Sequence, residues 1–184
     1  FYDATIGQEW RQKKMYVNGV PWKAKKIPQL PIPQPERVVS LPLNLTLDKN
    51  YNYKLSGSDD INRHHCWRIE FQPVEQKLSL YKGTVWIDQN TYQRVRISAT
   101  QTNLEPPLTS NDETIDFQIV ENDSQAFNLM SAIHGQQIFS AAGRQVFSER
   151  TISFQDFRIN TADFDSIRQN AYKSDDLMLR DTDQ

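Results

Sequence analysis

The stretch YKGTVWIDQNTYQRVRISA, Tyr81 to Ala99, decides how the rest of the chain is read. Val85 and Ile87 alternate with Trp86 and Asp88; Val95, Ile97 and Ala99 alternate with Arg94, Arg96 and Ser98. Alternation of this kind marks half-buried strands with one face on a core. Keeping both apolar sets on one face pairs Ile87 with Val95 and Val85 with Ile97. The same register sets Asp88 opposite Arg94 and Trp86 opposite Arg96, a charge pair and a cation–π contact. Gln89 to Gln93 then form the loop of a hairpin.

Strand patterns extend on both sides of this hairpin. Upstream, Tyr51, Tyr53 and Leu55 alternate with Asn52 and Lys54, and a polar turn is expected around Gly57, Asp59 and Asp60. Trp67, Ile69 and Phe71 follow, closed by Pro73, while the parity of Leu78 and Leu80 predicts a bulge near Gly83. Downstream, Ile115, Phe117 and Ile119 lead to an Asn122-Asp123-Ser124 turn, with further strands around Phe127, Ile138 and Val146. A shift of apolar parity between Phe154 and Phe157 predicts a second bulge. So many short strands with one apolar face predict an all-β fold, a strongly curved antiparallel sheet or incomplete barrel.

The ends read differently. Phe1 to Gln12 fits either a short helix or an edge strand, and Asn18-Gly19 within MYVNGVPW signals a hairpin. Five prolines between Ile27 and Pro42 predict an extended strap over the surface. Asn160 or Thr161 is expected to cap a helix reaching about Tyr172, with Phe164, Ile167, Arg168 and Ala171 on one side.

The chain's 184 residues suit a single domain, 1–184, with a sizeable core. A formal net charge of −2 gives no sign of a nucleic-acid partner. The single cysteine, Cys66, excludes an internal disulfide, and no run is long and apolar enough to predict a transmembrane helix. Starting at Phe1 rather than methionine, the sequence is expected to be a processed chain or part of a longer one.

Candidate chemistry is sparse. Asp59, Asp60, His64, His65 and Cys66 are residue types that bind zinc, but adjacent histidines in a strand point to opposite faces. The expectation is a polar turn entering a strand, with no metal. His134 has no nucleophile motif near it, so neither a catalytic residue nor a cofactor is expected. The collective signal is the apolar face itself, lined by Trp67, Ile69, Phe71, Val85, Ile87, Val95, Ile97, Phe117 and Ile119. A helix and loops that cover it fully give a plugged core, which the pattern alone favours. Incomplete cover gives a cavity for an acyl chain.

The run LYKGTVWIDQNTYQRVRI, Leu80 to Ile97, resembles a recurring segment of the LolA-like family of outer-membrane lipoprotein-sorting proteins. CWRIEFQP, Cys66 to Pro73, resembles that family's preceding strand, and the similarity extends over Tyr51 to Ala99. The resemblance implies an incomplete β-barrel around a helical or loop lid, in the periplasm or envelope of a Gram-negative bacterium. The N-terminal hairpin and proline strap depart from the carriers' pattern, and no ligand residue is carried over. The resulting expectation is a non-enzymatic module holding a lipid, acyl chain or lipoprotein in a hydrophobic cavity. The alternative is a structural or protein-interaction domain of a larger envelope protein, with a filled core and docking surfaces at the strap and the sheet edge.

Overall fold

The computed structural model describes residues 1–3, 7–12, 16–17, 20–21, 49–75, 79–123, 125–174 and 177–180. The proline strap lies outside these residues, as do Asn18, Gly19, Leu78 and Ser124. The chain gathers into two compact units, Phe1–Pro33 with Arg158–Gln184, and Gln34–Phe157.

The first unit joins the two ends of the chain. Strands β1 (Tyr2–Asp3), β2 (Gly7–Gln12) and β12 (Leu177–Arg180) form an antiparallel sheet in the order β1-β2-β12. The segment read as a helix or an edge strand is therefore a strand with partners on both sides. The two-residue strands β3 (Tyr16–Val17) and β4 (Val20–Pro21) pair antiparallel, as expected of a hairpin. Helix α1 (Phe164–Lys173) starts a turn later than read, after Asp163, and buries Ala171. Glu9 ties β2 to this helix: at 2 % exposure it accepts from Arg168 Nε at 2.6 Å and Nη2 at 2.8 Å, and from the Tyr172 hydroxyl at 2.7 Å. A buried carboxylate is tolerable only with such partners, which here also hold the guanidinium firmly charged.

The second unit is one open antiparallel sheet in the order β11-β10-β9-β8-β7-β6-β5. Its strands are β5 (Tyr51–Ile61), β6 (His64–Pro73), β7 (Tyr81–Asp88), β8 (Arg94–Gln101), β9 (Leu108–Asn122), β10 (Gln125–Ala141) and β11 (Arg144–Ser153). The hairpin β7–β8 starts at Tyr81 and turns through Gln89–Gln93 as read, runs two residues past Ala99 to Gln101, and lies in the middle of the sheet.

Registry places one apolar residue per strand in a row: Leu55, Ile69, Val85, Ile97, Ile115, Ile133 and Ile152. Burial peaks at the centre of that row. Val85, Ile97 and Ile115 are 2 %, 0 % and 2 % exposed, whereas Leu55 on the edge strand is 63 % exposed. Phe71, Tyr81, Ile87 and Ala99 join Val85 and Ile97 in one packed cluster, with Trp67, Ile69 and Phe117 against it. Burying this much branched and aromatic surface is the main force holding the sheet, at about 25 cal/mol per Å² of apolar area.

Several local expectations are corrected. Val85 faces Ile97 and Trp86 faces Arg96 as read, but a bulge between Trp86 and Ile87 sets Ile87 opposite Arg94, not Val95. Asp88 does not meet Arg94. The first hairpin turns at Asn62-Arg63, both with positive φ (50° and 70°), and Gly57 (φ 140°) instead marks a bulge within β5. No bulge forms at Gly83; its place is fixed by crowding, since a Cβ there would run into the Ser98 carbonyl oxygen and Ala99 Cα. β10 is one strand of 17 residues rather than several. The parity shift after Phe154 falls beyond the end of β11, so it is a strand end and not a bulge.

Candidate functional site

The nine residues expected to line a cavity lie on four adjacent strands, β6 to β9. Phe71, Val85, Ile87, Val95 and Ile97 are buried core, 0–6 % exposed. Trp67, Ile69 and Phe117 are half-buried. Ile119, at 42 % exposure, lies where β9 and β10 run on beyond β8, and Met130 (39 %) is registered beside Phe117. The set is therefore a packed interior that opens toward Ile119.

That face is not apolar throughout. Asn111 (6 % exposed) donates from Nδ2 to Gln101 Oε1 at 2.6 Å and to the Tyr81 hydroxyl at 3.2 Å. Gln101 Nε2 donates to Ser79 Oγ at 2.7 Å, and Gln137 Nε2 to Asn111 Oδ1 at 3.3 Å. Burial, with the negative charge of Glu113 second, pushes the Tyr81 phenol pKa up. Glu113 itself binds Arg150 Nη2 at 2.9 Å. The sequence reading places none of these side chains, because its strands are traced by their apolar residues alone.

The Asp59–Cys66 cluster resolves into polar contacts around three carboxylates, Asp59, Asp60 and Asp88. Arg68 Nη1 contacts Asp59 at 3.2 Å, and Trp86 Nε1 donates to the same carboxylate at 2.8 Å. His65 Nδ1 pairs with Asp60 at 2.8 Å, and His64 Nδ1 with Asp88 at 2.7 Å, so the two histidines serve different partners. Asp88, 3 % exposed, is the best-satisfied carboxylate of the sheet. Burial raises its pKa, but hydrogen bonds from the Thr91 and Asn90 amides, the Thr91 hydroxyl and His64 outweigh that and hold it at about 2. Cys66 is fully buried, and burial, then Asp88, push its thiol pKa up, which suits a packing residue rather than a nucleophile. Among the described residues no group of three His, Cys, Asp or Glu side chains is arranged to hold a metal ion. Arg94 lies over the Phe117 ring at 4.7 Å, and Arg96 Nε binds Asp116 at 2.6 Å in place of stacking on Trp86.

The opposite, polar face carries an open groove of about 540 Å³ across β5 to β8. Its polar walls are Asn52, Lys54, Glu70, Gln72, Lys82 and Thr84. Of the nine residues expected to line a cavity, only Phe71 borders it.

A third feature is the edge strand β11. Nine of its ten residues are exposed, on both faces, including Val146 at 43 % and Phe147 at 66 %. It pairs with β10 in unbroken register from Arg144 to Ser153, and among the described residues no strand pairs with its other side.

Compared with family models, curated proteins and solved structures, the chain matches none. The likeness to LolA-like proteins therefore rests on the residues quoted for it. No helix among the described residues is long and apolar enough to cross a membrane.

Proposed function

We propose that the chain is a non-enzymatic protein-interaction domain with a filled core, which engages a partner in the cell envelope through the open edge of its sheet. The observation that supports it best is the burial of Phe71, Val85, Ile87, Val95 and Ile97, which spend the apolar face on one another. Strand β11 then supplies the docking surface. It offers main-chain groups along one side that pair with no strand among the described residues, and two exposed apolar residues, Val146 and Phe147, to an extended segment of a partner protein. Envelope location comes from the family resemblance. Native mass spectrometry after exposure to fatty acids and phospholipids tests the filled core. The expected result is the bare chain mass; a stoichiometric lipid adduct would overturn the reading.

A second reading has its own observation. Exposed Ile119 and Met130 beside half-buried Phe117 mark one end where the apolar face is less well covered. An acyl chain carried by this protein enters there, and Ile119→Asp abolishes uptake of a fluorescent fatty acid. Wild-type protein that takes up no such probe rules this reading out.

A further inference from the structure

The polar groove holds a charge pattern that the rest of the neighbouring strands lack. Along β5 to β8 the other acidic and basic side chains have partners: Asp59 with Arg68, Asp60 with His65, Asp88 with His64, Arg96 with Asp116, and Arg94 over Phe117. Lys54, Glu70 and Lys82 have no ion pair or side-chain hydrogen bond among the described residues, and all three line the groove. Lys54 is registered directly opposite Glu70, the position in which a cross-strand ion pair forms at least cost, yet the two do not pair.

From this we infer that the groove is a binding site for an acidic saccharide. The inference is independent of the β11 edge and of the state of the apolar face, since the groove faces the other way. Two ammonium groups against one carboxylate leave a net positive site for a ligand carboxylate or phosphate. Asn52, Gln72 and Thr84 both donate and accept hydrogen bonds, as sugar hydroxyls do, and Glu70 accepts from further hydroxyls. Tyr53 and Phe71 border the groove but pack with the core cluster, so the charged and amide side chains supply its specific contacts. Its volume of about 540 Å³ lies within the range of small-molecule sites, large enough for one or two sugar rings.

The test is calorimetric and NMR titration of the full chain with trigalacturonate, maltotriose, inorganic phosphate and a short acidic peptide. Trigalacturonate is expected to bind saturably, more weakly as salt rises, with shifts confined to β5–β8. In the Lys54→Ala/Lys82→Ala double variant its affinity falls about tenfold or more, and in Glu70→Gln it rises. Both variants change exposed side chains, so unchanged circular dichroism will confirm that they fold. Equal binding of maltotriose, phosphate or the peptide would overturn the assignment, as would a double variant that binds trigalacturonate like wild type or a wild type that does not bind it.

Discussion

Strands β8 and β11 belong to one sheet and both mix apolar with charged residues, yet they are held by different forces. β8 alternates buried and half-buried residues along its whole length, and Ile97 at its centre has no exposed surface. β11 sets Val146 and Phe147 side by side on opposite faces, and nearly every side chain is in water. The first strand is held by packing and hydrogen bonding together, the second by its ladder to β10 with little packing. A strand's pattern therefore reports which residues share a face, and its place in the strand order decides whether that face is covered.

The contrast is sharpest under substitution. Gly83→Val, in the crowded centre, is expected to cost most, upward of about 3 kcal/mol, because its branched side chain meets the Ser98 and Ala99 backbone, which has no rotamer to adjust. Ile97→Ala follows at about 3 kcal/mol, the cost of emptying a fully buried site. Urea denaturation reads both.

Asp88 adds a pH signature to the packed side of the comparison. Its folded-state pKa is lowered from 3.8 to about 2, so its stabilisation is complete above the unfolded value and is lost as pH falls through the folded one. Between about pH 5 and pH 2 the Asp88→Asn variant should lose less stability than wild type, by roughly 2 kcal/mol. Acid denaturation curves of the two proteins check the sign. Trp86→Phe removes the indole N–H that reaches Asp59 and should cost about 1 kcal/mol. Phe147→Ala on β11 should change stability by less than about 0.5 kcal/mol while weakening capture of a strand-forming partner. A core-sized loss at Phe147 would erase the distinction between the two strands.

What the sequence made legible follows from the same distinction. Period-two alternation placed the hairpin Tyr81–Ala99, its loop and the shared face of Val85 and Ile97. It missed the bulge at Trp86/Ile87, because a bulge there is set by the fit of Arg94 and Val95 against β7 and carries no glycine or proline signal. Gly57 and two aspartates read as a turn, whereas the positive-φ pair is Asn62-Arg63, and arginine is a residue that turn chemistry does not flag. Along β10 a glycine and polar residues suggested breaks that pairing on both sides bridges. The groove was beyond the sequence, since alternation assigns Lys54, Glu70 and Lys82 to a face without showing that the face is hollow there or that the three are left unpaired.

The central claim, that the apolar face is a filled core and β11 an open edge, is tested most directly by native-state hydrogen exchange with and without palmitate. The account predicts that amides of Val85 and Ile97 exchange only with global unfolding, that outward-facing amides of β11 exchange far faster, and that palmitate changes neither. Palmitate-dependent protection spreading across β6 to β9, or β11 amides as protected as those of β8, would contradict it.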